Sequence, residues 1–248
     1  MPAIPSIAPI ARTFIAIAML AFGAQHLIYG EFVTRLVPPL PSWIPWHPLW
    51  AYLTGAVLIL CGAAMLFGIR ARQAATLLGW IGPLSAVLLY LPRLLANPHN
   101  GGLWTQTGKA LALSGAALLA AASLTPGKTS LTGRYFLASF LILAGIQHFI
   151  YPQFVATLVP SWMPGHIFWT YFAGVALIAG GIGMVVPITT RLAAYLSGIM
   201  VFVWVIVLHI PRAVAAPHDA NETTAVFEAL AVTGAAFLVA VTTPKMHS

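Results

Sequence analysis

The chain has 248 residues, of which 60% are hydrophobic and only 6% are charged, and its formal net charge is +7. A soluble globular domain carries about 25% charged residues, so this composition excludes a water-facing surface and predicts an integral membrane protein. The basic residues form no cluster interleaved with polar surface, which argues against a nucleic-acid partner. The single cysteine, Cys61, excludes dithiol redox chemistry within the chain.

Eight apolar runs each approach the ~20 residues that a helix needs to cross a bilayer. They lie at about 10–29, 49–69, 74–95, 107–125, 134–152, 168–187, 192–213 and 224–243. The first run resembles a signal peptide, because AMLAFGAQ offers small residues to a peptidase. Its counterpart at 134–152 lies in the middle of the chain and cannot be a leader. We therefore interpret the first run as a retained helix.

The charges of the connecting segments predict the orientation of these helices. One side carries only basic residues, namely Arg12, Arg70, Arg72, Lys128, Arg134, Arg191 and Lys245. The other side carries balanced charges, namely Arg35, Arg93, Lys109 and Arg212 against Glu31, Asp219, Glu222 and Glu228. The whole net charge thus lies on one face, which is the positive-inside bias. We expect both termini to be cytoplasmic and the protein to lie in a bacterial inner membrane.

The sequence contains a tandem duplication. AFGAQHLIYGEFVTRLVP (21–38) returns as LAGIQHFIYPQFVATLVP (143–160), so that His26 pairs with His148 at an offset of 122. After a three-residue deletion the offset is 119, and it then pairs the two halves at His47/His166, Trp50/Trp169, Tyr52/Tyr171, Gly55/Gly174, Gly62/Gly181, Arg72/Arg191, Pro92/Pro211, Arg93/Arg212 and His99/His218.

The duplication predicts an all-α membrane fold of two four-helix units, 1–125 and 134–248, joined by a polar cytoplasmic linker, 126–133. Each unit has an even number of helices, so both enter the membrane in the same direction. We expect the units to be related by a pseudo-two-fold axis along the membrane normal.

Recurring glycines predict close contacts between helices within each unit. The second helix of each unit carries glycines seven residues apart, and the first carries one glycine three residues before its histidine. Small residues let helix backbones approach closely in membranes. The glycines concerned are Gly23, Gly55, Gly62, Gly145, Gly174 and Gly181.

Polar side chains gather at one depth, near the outer end of the first and third helices of each unit. In the third helices a proline frees one carbonyl, at Leu88 or Val207, and an arginine follows directly. Polar groups in hydrocarbon usually face the bundle interior. The candidate ligand-binding residues are Gln25, His26, Tyr29, Tyr90, Arg93, His99, Gln147, His148, Tyr151, His209, Arg212 and His218.

Several interpretations of this polar layer remain open. In the simplest, each histidine bonds a backbone carbonyl or a neighbour and each arginine extends to the surface. A pocket for a quinone or a similar lipid headgroup needs donors at interface depth, which His, Gln, Tyr and Arg supply. A haem or metal held by His26 and His148 is an alternative. A further alternative is a scaffold or chaperone that holds a partner through the loops RLVPPLPSWIPWHPLW and TLVPSWMPGHIFW.

The second half resembles the DoxX-like membrane proteins in AGIQHFIYPQFVATLVPSWMP, YFAGVALIAGGIGM, TTRLAA and HIPR, and the first half resembles them more loosely. The resemblance implies a four-helix unit. One branch of relatives supplies a membrane subunit of a thiosulfate:quinone oxidoreductase, others assemble with redox or sulfur-transfer proteins, and distant eukaryotic relatives act as receptor chaperones or cargo receptors. It implies no agreed catalytic set, only the motif's polar groups: Gln25, His26, Gln147, His148, Arg93 and Arg212. This chain departs from the family in fusing two units.

Overall fold

The computed structural model describes residues 6–125 and 129–244, and within them it contains helices and no strand. Eight helices in these residues are long and apolar enough to cross a membrane. In chain order they are α1 (Ala8–Tyr29), α2 (His47–Leu66), α3 (Ala71–Ala96), α4 (Gly101–Leu124), α5 (Thr129–Ile150), α6 (His166–Val185), α7 (Thr190–Ala215) and α8 (Ala220–Thr242). A short helix, Pro152–Ala156, follows α5.

The eight predicted spans are all present, but α4, α5 and α8 begin several residues earlier than their apolar runs. Polar caps explain this difference for α4 and α8. The side chain of Asn100 accepts a hydrogen bond from the Leu103 amide (3.1 Å), and that of Asp219 accepts one from the Asn221 amide (2.8 Å). Such caps satisfy backbone donors at a helix start, so the first turn can be polar.

Helices α3 and α7 each contain a five-residue π-helical segment directly before their prolines, at Ala86–Tyr90 and Val205–His209. The amide that follows each segment bonds the carbonyl five residues earlier. Hydropathy and the prolines predicted a lost hydrogen bond but not this wider turn. Tyr90 and His209 are the last residues of these π turns, and such turns are frequent at functional sites.

The helices form a closed ring in which each contacts its sequence neighbours and α8 returns to α1. Helices α4 and α8 also contact each other across the centre. Accordingly, 78% of the apolar window of α8 is buried, against 28% for α2. The last helix of each half therefore forms the core, and the other helices present more of their surface to lipid.

The glycines on α1, α2, α5 and α6 lie at close backbone contacts, as the sequence predicted. A Cβ on Gly23 would lie 2.6 Å from the carbonyl oxygen of Gly55, and a Cβ on Gly145 would lie 2.7 Å from that of Gly174. Gly62 and Gly181 face the carbonyl oxygens of Ala16 and Ala138. These helix pairs approach so closely because no side chain separates their backbones.

The two ends of the bundle differ in composition. At one end, called the basic end below, Arg12 donates to the Ser123 hydroxyl (3.3 Å) and Arg191 to the Thr243 carbonyl (2.9 Å). Of the other basic residues assigned to that side, Lys128 and Lys245 lie outside the described residues, as does the 126–128 part of the predicted linker. The opposite end, called the tryptophan end, carries the first connection (residues 30–46) and the second connection (residues 151–165).

Candidate ligand-binding layer at the tryptophan end

The two candidate glutamines join the halves of the chain to each other. Gln25 on α1 donates to the Ala220 carbonyl (3.2 Å) and accepts from the Thr224 hydroxyl (2.9 Å), both on α8. Gln147 on α5 donates to the carbonyl of Gly101 on α4 (2.8 Å) and accepts from the Thr105 hydroxyl (2.7 Å). Each side-chain amide thus has both an acceptor and a donor in a neighbouring helix. The glutamines act as links between helices.

The two motif histidines bond their own helices. The Nδ1 atoms of His26 and His148 each lie 2.7 Å from the carbonyl oxygen four residues earlier, that of Phe22 or Ala144. A carbonyl only accepts, so Nδ1 carries the proton in both rings. His26 is fully buried under the edge-on ring of Phe32, and its Nε2 has no partner among the described residues. His148 is half-buried.

Tyr90 and Arg93 on α3 hold the first connection through its backbone. The buried Tyr90 hydroxyl donates to the Leu36 carbonyl (2.7 Å). Arg93 donates to the carbonyl of Leu89 in its own helix (2.7 Å) and to that of Pro39 in the connection. These two side chains of α3 therefore bond the backbone of the first connection.

A buried charge cluster lies between α4, α8 and the first connection, and the sequence analysis did not assign it. Glu228 on α8 pairs with Arg35 (Nε–Oε2 2.7 Å) and with Lys109 on α4 (Nζ–Oε1 2.9 Å). Its side chain is 9% exposed and that of Lys109 is 12% exposed. We call Arg35, Lys109 and Glu228 the charge cluster. The repeat contained a signal for this cluster. Lys109 and Glu228 are 119 positions apart, so the two halves carry opposite charges at equivalent positions.

His209 and Arg212 on α7 have different surroundings from Tyr90 and Arg93, their equivalents in the first half. Arg212 pairs with Glu222 through both of that residue's carboxylate oxygens (3.0 and 2.5 Å). His209 lies three residues before Arg212 on the same helix, so the two side chains are neighbours on its surface. The Nδ1 of His209 is buried and has no hydrogen-bond partner among the residues that the structure describes.

The remaining candidates lie at the margin of the layer. His99 and His218 are exposed in the short connections before α4 and α8. The Tyr151 ring packs against Gly101, where an added Cβ would lie 2.4 Å from its hydroxyl. Tyr29 lines a cleft of about 240 Å³ together with Glu31, Phe32, Val33, Thr34, Ala220 and Asn221. The structure thus brings Tyr90 and Arg93 to the first connection and Arg212 to Glu222, whereas His99 and His218 are exposed outside these contacts.

A larger cleft of about 590 Å³ lies between α6 and α7 toward the basic end, and it is lined by apolar and small residues. Neither this cleft nor the smaller one is lined by His26, His148 or His209. Across residues 6–125 and 129–244, no group of three or more His, Cys, Asp or Glu side chains is placed to hold a metal ion.

The comparisons with known proteins match only the second half of the chain. A family model described as a domain of unknown function, DUF8561, matches residues 137–243, from within α5 to just past α8. No curated protein and no solved structure matches the chain.

Proposed function

We propose that this chain is a DoxX-like membrane protein that binds a quinone, or a similar lipid headgroup, at the tryptophan end, as a subunit associated with an oxidoreductase. Redox or sulfur-transfer proteins are its expected partners. We further propose that it consists of two four-helix units, 1–125 and 134–248, related by a pseudo-two-fold axis along the membrane normal. The tryptophan end then faces the outer leaflet, and the termini are cytoplasmic.

Paired contacts support the two-unit architecture. Residues 119 positions apart make the same bonds, since Trp50 donates to the Pro45 carbonyl and Trp169 to the Pro164 carbonyl, both at 3.1 Å. The threonines bonded by Gln25 and Gln147 are also 119 positions apart, because 105 + 119 = 224. The match to residues 137–243 covers most of one such unit.

The observation that carries the proposed binding is the buried Nδ1 of His209, which has no partner among the described residues and lies one helical turn before the ion pair of Arg212 with Glu222. A buried polar group without a hydrogen bond costs about 1–3 kcal/mol, which a ligand's polar atom would offset. His209 lies six residues before the end of α7, or about 9 Å along the helix. That depth suits a headgroup just below the interface.

A thermal-shift experiment on the purified protein tests this proposal. We expect short-chain ubiquinone or menaquinone analogues to raise the melting temperature by several degrees, because a ligand that binds only the folded state stabilises it. His209→Leu removes the bonding nitrogen and should abolish the shift. The matched control is Tyr90→Phe at the equivalent position of the first half, which should keep the shift. An equal shift in His209→Leu, or no shift with any quinone, would refute quinone binding at His209.

Exposed aromatic residues favour the scaffold as a second candidate function. Trp43, Trp46 and Trp162 in the two connections are 80%, 74% and 69% exposed. Tryptophan at this level anchors to lipid headgroups, but it is also frequent in protein interfaces. A scaffold predicts that a specific partner co-purifies and that quinones do not stabilise the protein. An absorption spectrum with a Soret band would instead favour the haem alternative.

Cysteine labelling tests the proposed orientation. In a Cys61→Ser background, Asn97→Cys places one thiol in an exposed position at the tryptophan end, and Gln73→Cys places one near the basic end. Because basic residues are retained in the cytoplasm, a membrane-impermeant maleimide should label intact cells only through Asn97→Cys. Gln73→Cys should react after the membrane is permeabilised. The reverse pattern would contradict cytoplasmic termini.

A further inference from the structure

Four side chains from α3 and α4 hold the first connection by donating to its backbone carbonyls. We call them the latch: Tyr90 to Leu36 (2.7 Å), Arg93 to Pro39, Gln106 to Thr34 (3.4 Å) and Lys109 to Arg35 (3.1 Å). Arg35 adds its ion pair to Glu228 on α8. The first connection is thus bonded to three helices of the bundle.

Three of the four latch positions are altered in the second half, at an offset of 119. Gln106 is replaced by Ala225, and Lys109 by Glu228, whose ionised carboxylate cannot donate to a carbonyl. Tyr90 is replaced by His209, which makes no such bond.

The fourth latch residue is retained but engaged elsewhere. Arg212 stands at the position of Arg93, yet it binds Glu222, which occupies the position of Leu103 in the first half. Among the described residues, no side chain of α7 or α8 donates a hydrogen bond to the second connection. That connection is therefore not bonded to the bundle in the way that the first one is.

Local turns do not account for this difference, because both connections have them. The Leu36 amide bonds the Val33 carbonyl (2.8 Å), and the equivalent Leu158 amide bonds the Val155 carbonyl (2.9 Å). The two segments therefore share this turn, although only the second contains a short helix and lacks three residues, and they differ in the latch.

We infer that the halves have separate roles: the latched first half is structural, and the second half admits the ligand past the second connection, with His209 as its bonding group. The repeat supports this place, because His209 stands at the position of Tyr90, whose hydroxyl bonds Leu36, and Leu158 is the counterpart of Leu36. The inference rests on the proposed function and adds the place and route of binding. A quinone-type headgroup fits this site, because it offers carbonyl oxygens to an unpartnered imidazole nitrogen and to the guanidinium of Arg212.

Hydrogen–deuterium exchange of the wild-type protein in nanodiscs tests the difference between the connections without any ligand. We expect the amides of Leu158 and Val159 to exchange at least about tenfold faster than those of Leu36 and Val37, since exchange reports local opening. Gln106→Ala, which introduces the residue of the second half, should accelerate exchange in the first connection and leave quinone stabilisation unchanged. Equal exchange in the two wild-type connections would overturn the inference while leaving quinone binding itself intact.

A second variant tests whether the ligand passes the second connection. Ala225→Gln restores the first-half residue, whose amide can then donate to the Ala156 carbonyl, the counterpart of the Thr34 carbonyl that Gln106 bonds. We expect slower exchange at Leu158 and a quinone affinity lowered at least about fivefold, with His209 still present. Ala225→Leu, which adds a side chain without a donor, is the matched control and should change neither. Slower exchange with unchanged affinity would overturn the inference. If the two connections differ tenfold in exchange but no quinone stabilises the wild-type protein, the proposed function is refuted, and with it the proposed route of ligand entry.

Discussion

Replacing Glu228 with alanine is expected to lower the free energy of unfolding by about 3–5 kcal/mol, the usual cost of removing one partner from a buried ion pair. The carboxylate lies 2.7 Å from Arg35 and 2.9 Å from Lys109. Without it, Lys109 keeps a positive charge in a site where its side chain is 12% exposed. Denaturant titration of the purified protein, followed by tryptophan fluorescence, measures the loss.

Two further variants separate the ion pair from general effects of substitution. Glu31→Ala removes an exposed carboxylate at the same end of the molecule and should change stability by less than about 0.5 kcal/mol. The double variant Lys109→Met/Glu228→Met removes both buried charges and should regain most of the loss, because apolar residues of similar volume often replace buried pairs without cost. A loss below about 1 kcal/mol for Glu228→Ala would show that the cluster behaves as a surface pair.

Gly23→Val is expected to destabilise the α1–α2 contact by about 3 kcal/mol, near the upper end for overpacking a close contact. A Cβ on Gly23 would lie 2.6 Å from the Gly55 carbonyl oxygen and 2.9 Å from the Ile59 amide nitrogen. Both atoms belong to the backbone, so the helices must separate to admit the side chain. The same unfolding titration measures this effect.

The second half offers an independent repeat of this experiment. Gly145→Val should cost a similar amount, because its Cβ would lie 2.7 Å from the Gly174 carbonyl oxygen. The control is Gly102→Ala, where the nearest atom is a side-chain oxygen of Asn100 at 3.2 Å, and we expect a change below about 0.5 kcal/mol. A mild effect at both Gly23 and Gly145 would mean that these helices can move apart without loss of stability.

The sequence alone predicted the membrane class, the eight helices and the glycine contacts, and the physical reason is that each depends on local composition. A span is recognised by the length of its apolar run, and Gly23 and Gly55 stood out by their place in the repeat. The same reasoning misplaced the starts of α4 and α8, because capping by Asn100 and Asp219 allows a polar first turn.

Only the tertiary structure decided what the polar residues of the tryptophan end do, because their partners are distant in sequence. Gln25 bonds Thr224, and Arg35 pairs with Glu228, each across more than 190 positions. Hydropathy and motif spacing describe one helix at a time. They therefore place the histidines and arginines at a common depth but do not identify their hydrogen-bond partners. Only the packing of the helices shows which of these groups have hydrogen-bond partners. It also shows that the buried Nδ1 of His209 has none among the described residues.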